Sequence, residues 1–215
     1  MTKIPFTVYD IFAYVFSGGV VVTAIDYVFG YQWILNVEKS AFLAIFLIFL
    51  AYVSGHLVAH FSSFFLEIIL VDKILKRPSR ILMGENPPKI LRLIFPGYYK
   101  PLPEATQQRT LSQAKSREFK GTGEALFLHA YAIVTKNKDS QNRLEEFRNL
   151  YGFARNMAFS FFVTAILLLI AIFTNKQISI NWALVCIGIG LGMLYRYLKF
   201  FRQFSYHLLI TYAEL

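Results

Sequence analysis

The chain has 215 residues, 56% of them hydrophobic and 16% charged, with a formal net charge of +9. Its apolar residues are gathered into blocks instead of being spread at the spacing of a water-exposed helix or strand, which excludes an ordinary soluble domain. The expected fold class is an all-α membrane protein: four transmembrane helices, as two pairs, flanking a mostly helical cytoplasmic domain.

The first apolar run, residues 9–28, matches the roughly 20 helical residues that a hydrocarbon core requires. It carries Asp10 and Asp26, has no basic leader beyond Lys3, and lacks a small-residue cleavage site, so it is expected to remain as a helix instead of leaving as a signal peptide. Gly18 and Gly19 suit a bend or a close helix contact. Asp26, near the outer end, fits shallow depth or an outer vestibule. In the link 29–40, Tyr31 and Trp33 are amphipathic rings of the kind that collect at membrane interfaces.

The second run crosses at 41–60 yet stays apolar to residue 70, roughly 45 Å of helix, and is expected to protrude from the bilayer. His56, His60, Ser63 and Glu67 follow at steps of four, three and four residues and so share one helical face. Such a stripe avoids lipid. It suits a pore or gate, an interfacial position, or a metal site through the two histidines; neither metal nor cofactor is assigned.

Residues 1–70 thus form the first membrane unit, 71–154 the basic cytoplasmic domain, and 155–215 the second helical pair with an amphipathic extension. Prolines and glycines from Pro78 to Pro103 leave little regular structure over 77–103. Within that stretch, 90–95 (Ile-Leu-Arg-Leu-Ile-Phe) fits either a short strand or an interfacial helical turn, and Tyr98, Tyr99 and Lys100 fit a ligand loop or a turn at the headgroups. Helices are expected over 104–119, 124–135 and 140–155, the last with Leu144, Phe147, Leu150, Tyr151 and Ala154 on one face and Ser140 as its cap. No proline separates it from the third run, 157–173, which predicts one continuous helix.

A short link with Asn175, Lys176 and Asn181 leads to the fourth run, 182–198. There Gly188, Gly190 and Gly192 present a surface that a second helix can approach closely, in the same chain or another. Cys186, the lone cysteine, excludes a disulfide framework. From Tyr195 to Leu209 aromatic, basic and aliphatic residues alternate, as in an amphipathic helix packed on protein or lying at the interface.

Placing both termini and 71–156 in the cytoplasm gathers 20 of the 22 Lys and Arg on one side, leaving only Lys39 and Lys176 outside. The 16 basic against eight acidic residues of that central segment in part merely set orientation and attract anionic lipid. They extend far beyond the helix ends, however, and so also suit an anionic ligand. Arg109, Lys115, Arg117, Lys120, Arg143, Arg148 and Arg155 are the candidate ligand-binding residues, since phosphates favour Lys and especially forked Arg contacts. A channel must then be a homo-oligomer, because four helices rarely enclose a conducting path. The other reading is a non-conducting anchor or scaffold that docks a cytoplasmic partner or acidic lipid.

Catalysis is not expected: four histidines are too few for a membrane di-iron site, and P-loop, GxSxG and CxxC motifs are missing. Arg202 and His207 match the R-x4-H spacing of HEPN ribonucleases, a lesser alternative.

Two helical pairs around a basic segment, with Leu150-Tyr-Gly-Phe-Ala-Arg-Asn156 running straight into the third crossing, resemble the small four-helix membrane effectors of bacterial anti-phage defence, in particular the Hailong type. The resemblance implies an oligomeric channel of the bacterial inner membrane, multi-pass with cytoplasmic termini. It would be held shut by short single-stranded DNA oligomers from a partner nucleotidyltransferase and open when they disappear. Membrane accessory proteins of RNA-guided ribonucleases, through Arg202 and His207, are a rival resemblance.

Overall fold

The computed structural model describes residues 8–34, 36, 40–85, 88–174 and 178–215. Lys3, Lys39, Asn175, Lys176 and the side chain of Asp10, which entered the sequence reading, lie outside the described residues. Every regular element described is helical: α1 Val8–Phe29, α2 Ala41–Ser62 with a π-helical continuation Ser63–Leu75, α3 Pro78–Leu82, α4 Lys89–Ile94, α5 Glu104–Ser116, α6 Gly123–Val134, α7 Lys138–Phe173 and α8 Ile180–Ala213. Among the described residues, three helices are long and apolar enough to cross a membrane, within Ala41–Leu82, Lys138–Phe173 and Ile180–Ala213.

The helices divide into two compact units, Met1–Glu67 with Gly152–Tyr197 and Ile68–Tyr151 with Leu198–Leu215. The first is packed inside out relative to a soluble bundle. Its interior holds small and polar residues, among them Ser17, Ala51, Ser62, Ala154, Ala158, Ser160 and Ala171. Large side chains such as Phe42, Ile45, Phe49, Ile166 and Phe173 point outward. Hydrocarbon reverses the usual preference: outward Phe and Ile cost nothing in lipid, while small inward residues let helices approach and gain dispersion contacts. Near the end of α1, buried Asp26 accepts the backbone N–H groups of Trp33 (2.9 Å) and Ile34 (3.3 Å). Its carboxylate therefore shapes the turn after α1, which Gly30 enters with a left-handed φ of 73°.

The second unit has a conventional core. The end of α8 buries Leu198, Phe201, Phe204, Leu208, Leu209 and Tyr212, spaced at three and four residues so that one stripe faces inward. Leu209 packs with Leu82 and Leu102. The amphipathic extension is thus packed on protein, and it belongs with the central segment. Asn137, not Ser140, caps α7, its Oδ1 accepting the N–H groups of Asp139 (2.9 Å) and Ser140 (3.3 Å). This corrects the cap expected at Ser140, because an Asn at the true boundary reaches the first free amides. α7 then runs unbroken from Lys138 to Phe173, as the sequence predicted, and residues 90–95 fall in a helical turn and its end.

Arg77 gathers two acidic residues of this unit. It holds Asp72 through Nε (2.5 Å) and Nη2 (2.7 Å) and also contacts Glu124; Lys76 pairs with Glu85. The phenols of Tyr98 and Tyr99 donate to the carbonyls of Lys76 (2.8 Å) and Leu75 (2.9 Å), the free carbonyls at the end of the π-helical stretch. Burial, with Tyr99 and Asp72 adding, raises the Tyr98 phenol well above its ordinary range, so it stays a donor.

Candidate functional site

Two glycines bring α1 and α2 backbone to backbone in the first unit. A Cβ on Gly18 would lie 1.9 Å from the Ala51 carbonyl oxygen, and one on Gly55 would lie 2.0 Å from that of Tyr14. Of the sequence pair, Gly18 makes the close contact and Gly19 only borders it. Beside this crossing Tyr14 stacks on His56, centroids 4.1 Å apart, with Tyr52 edge-on to the imidazole at 4.6 Å. Ser160 of α7 donates to the Ser17 carbonyl at 2.8 Å, both residues fully buried.

A denser polar cluster lies where α2 changes to π geometry. Ser62 Oγ is 2.8 Å from Asn156 Oδ1, which also takes N–H groups of the Arg155 guanidinium at 3.3 and 3.4 Å. Arg155 Nη1 donates to Glu67 Oε2 at 2.6 Å, and Ser63 Oγ donates to the same oxygen at 3.2 Å. The paired side chains are 14% and 24% exposed, so little water screens the charges. Neither alone would be tolerated there, since an isolated charge at low dielectric costs several kcal/mol. Together with the hydroxyls and the amide they form a satisfied network joining α2 to α7. π-Helical segments are rare and concentrate at functional sites, where the altered register re-aims side chains.

The structure redistributes the residues singled out from sequence. The polar stripe divides: Ser63 and Glu67 join Arg155, His56 joins the tyrosines, and His60 is exposed beside Phe61. Among the described residues, no group of three His, Cys, Asp or Glu is placed to hold a metal. Arg155 is committed to Glu67 and Asn156 within the first unit, whereas Arg109, Lys115, Arg117, Lys120, Arg143 and Arg148 belong to the second and are exposed. Among the described residues none of these six makes an ion pair.

Two of the six line hollows, and not the same one. Arg109 lines one shallow hollow with Gln108, Ser112, Gln113 and Ser116. Arg143 lines another, with Asp139, Asn142, His207 and Thr211. Of the three glycines, Gly190 is buried against Phe162, which a Cβ would meet at 2.8 Å, while Gly188 and Gly192 have no atom of the described residues within 4 Å of theirs. Arg202 donates to the Lys100 carbonyl at 2.7 Å and His207 stacks on Phe147 at 4.7 Å, while the Tyr206 ring borders both. Five residues apart on a helix, they point some 140° away from each other. In the first unit an apolar cleft of about 760 Å³ is lined by residues of α1, α2, α7 and α8, including Tyr27, Ala51, Trp182 and Cys186. Buried Thr164 also lines it, with no hydrogen-bond partner for its hydroxyl among the described residues.

Sequence reasoning missed Asn156, Ser62, Ser17, Ser160 and Tyr14. The one signal available was the adjacent Arg155-Asn156 at the threshold of an apolar run, since two polar side chains entering a membrane together imply partners there.

These features define an all-helical protein with membrane-spanning helices and a charged interhelical network. No family model, no curated protein and no solved structure matches the chain.

Proposed function

We propose that the protein is an oligomeric membrane channel whose basic unit reads an anionic nucleotide or oligonucleotide and whose opening depolarises the bacterial inner membrane in anti-phage defence. α1, with 22 residues, makes the fourth crossing, about 33 Å of helix. Four crossings put both termini and the basic segment on one side, and the excess of Lys and Arg there makes that side the cytoplasm. The observation that carries the reading is the Glu67–Arg155 pair, 2.6 Å long and largely buried, joining two apolar helices. Such a pair is stable closed and, once separated, stable only where water reaches both groups, which makes it a latch between a sealed and a hydrated state. Exposed His56 and His60 on α2 and the open backbone at Gly188 and Gly192 supply surfaces for further copies.

A second reading, the non-conducting anchor, is favoured by Arg109 and Arg143 lining separate hollows, which suits a broad acidic surface better than one compact ligand. No observation favours the HEPN-type alternative. Purified protein in planar bilayers decides between channel and anchor. Stepwise conductance that changes on adding a short DNA oligomer is expected of the channel; oligomer binding with a silent bilayer would establish the anchor. A nucleotidyltransferase encoded beside this chain would supply the ligand implied by the resemblance to Hailong-type effectors.

A further inference from the structure

The second unit carries an apolar surface that its core does not use. In α4 no residue is buried, and Ile90, Leu93 and Ile94 are 73%, 83% and 57% exposed. A helix of six residues is too short to hold itself together in water. Three large aliphatic side chains left mostly in water would also forgo the transfer energy that burial supplies. Its remaining residues are Lys89, Leu91 and Arg92, followed closely by Lys100. Apolar side chains interleaved with cations are the composition of elements that lie in the plane of an anionic membrane surface.

The placement of the following loop agrees. The Lys100 carbonyl is held by Arg202 at 2.7 Å, and Arg202 follows Ile180 on α8 by about the 20 residues that one crossing takes. The hydroxyls of Tyr98 and Tyr99 tie the same loop to the end of the π-helical stretch. The loop after α4 is thereby fixed both to the end of the π-helical stretch and to a point on α8 about one crossing's length from Ile180.

We propose that α4 is an in-plane anchor that inserts Ile90, Leu93 and Ile94 among the acyl chains of the inner leaflet while Lys89, Arg92 and Lys100 contact anionic headgroups. This rests on the membrane reading but not on conduction, and gives the basic unit a second hold on the bilayer besides the crossing helices.

The test uses full-length protein carrying Cys186→Ala and a nitroxide at Leu93→Cys, or separately Ile90→Cys, in nanodiscs of anionic lipid. Collision with oxygen and with a water-soluble nickel chelate is measured by power saturation. Ile45→Cys marks hydrocarbon and Glu118→Cys marks water. The expected result is that labels at 90 and 93 collide with oxygen as the residue-45 label does and escape nickel, with Lys89→Glu and Arg92→Glu restoring nickel contact. Nickel contact at 90 and 93 equal to that at 118, while 45 remains shielded, would overturn the anchor alone; nickel contact at 45 would overturn the membrane reading itself. Labels at 90 and 93 shielded from both reagents would show a protein neighbour covering α4 and overturn the lipid assignment.

Discussion

At the scale of single residues, the chemistry turns on which charges are matched. Arg155 belongs by sequence to a run of cations awaiting an anion; in the structure it has one, Glu67, and its other N–H groups face Asn156. Glu67→Gln should destabilise the first unit by about 3 kcal/mol, because the guanidinium loses its countercharge while still buried. Thermal unfolding in detergent would read this, and Glu67→Arg combined with Arg155→Glu should recover part of the loss, whereas additive damage would exclude a direct pairing. In a conducting protein the single variants should also leak without ligand. Gly18 and Gly55 make a sharper steric case: Gly55→Val forces its side chain into the Tyr14 carbonyl and should cost more than the 1–3 kcal/mol typical of overpacking, while Gly188→Ala should leave monomer stability unchanged. A fall in oligomer mass on that last substitution, measured by light scattering, would place the exposed glycines at the subunit contact.

At the scale of elements, helix ends and faces decide what each segment does. α7 starts at an Asn cap and has no proline up to Phe173, so Asn137→Ala should lower stability by about 1 kcal/mol and Ser140→Ala by far less; a larger effect at Ser140 would move the helix start. α8 changes character along its length. Its first half exposes Trp182, Leu184, Val185 and Leu191, whereas beyond Tyr197 the large residues turn inward, as expected when lipid gives way to protein and water as the surroundings. The π-helical stretch after Ser62 was not readable from sequence, since no residue type demands i→i+5 bonding and the spacing of His56, His60, Ser63 and Glu67 assumed an α-helix.

For the whole molecule, the question is whether a dispersed cationic surface recognises one ligand. If a DNA oligomer binds the second unit, Arg143→Glu or Arg109→Glu should weaken it at least tenfold, roughly 1.4 kcal/mol, and the variant that does so identifies the hollow used. Affinity should fall steeply with added salt as bound counterions return to the phosphates. An affinity indifferent to salt and to both substitutions would remove the anionic ligand from the proposal.

Charge and hydropathy patterning by themselves determined that the chain is helical, where its apolar helices run, that the second and fourth outlast a crossing, and that the third continues an amphipathic helix. These follow from local rules: hydrocarbon demands apolar blocks with internally satisfied backbones, and periodicity marks the buried face. Only the tertiary structure decided which polar groups meet. It paired Arg155 with Glu67 across 88 positions of sequence, gave Asp26 to a turn, and buried Gly190 while leaving Gly188 and Gly192 open. Such partnerships depend on helix rotation and approach, set by the summed packing of small residues along whole interfaces, and no local pattern encodes that sum.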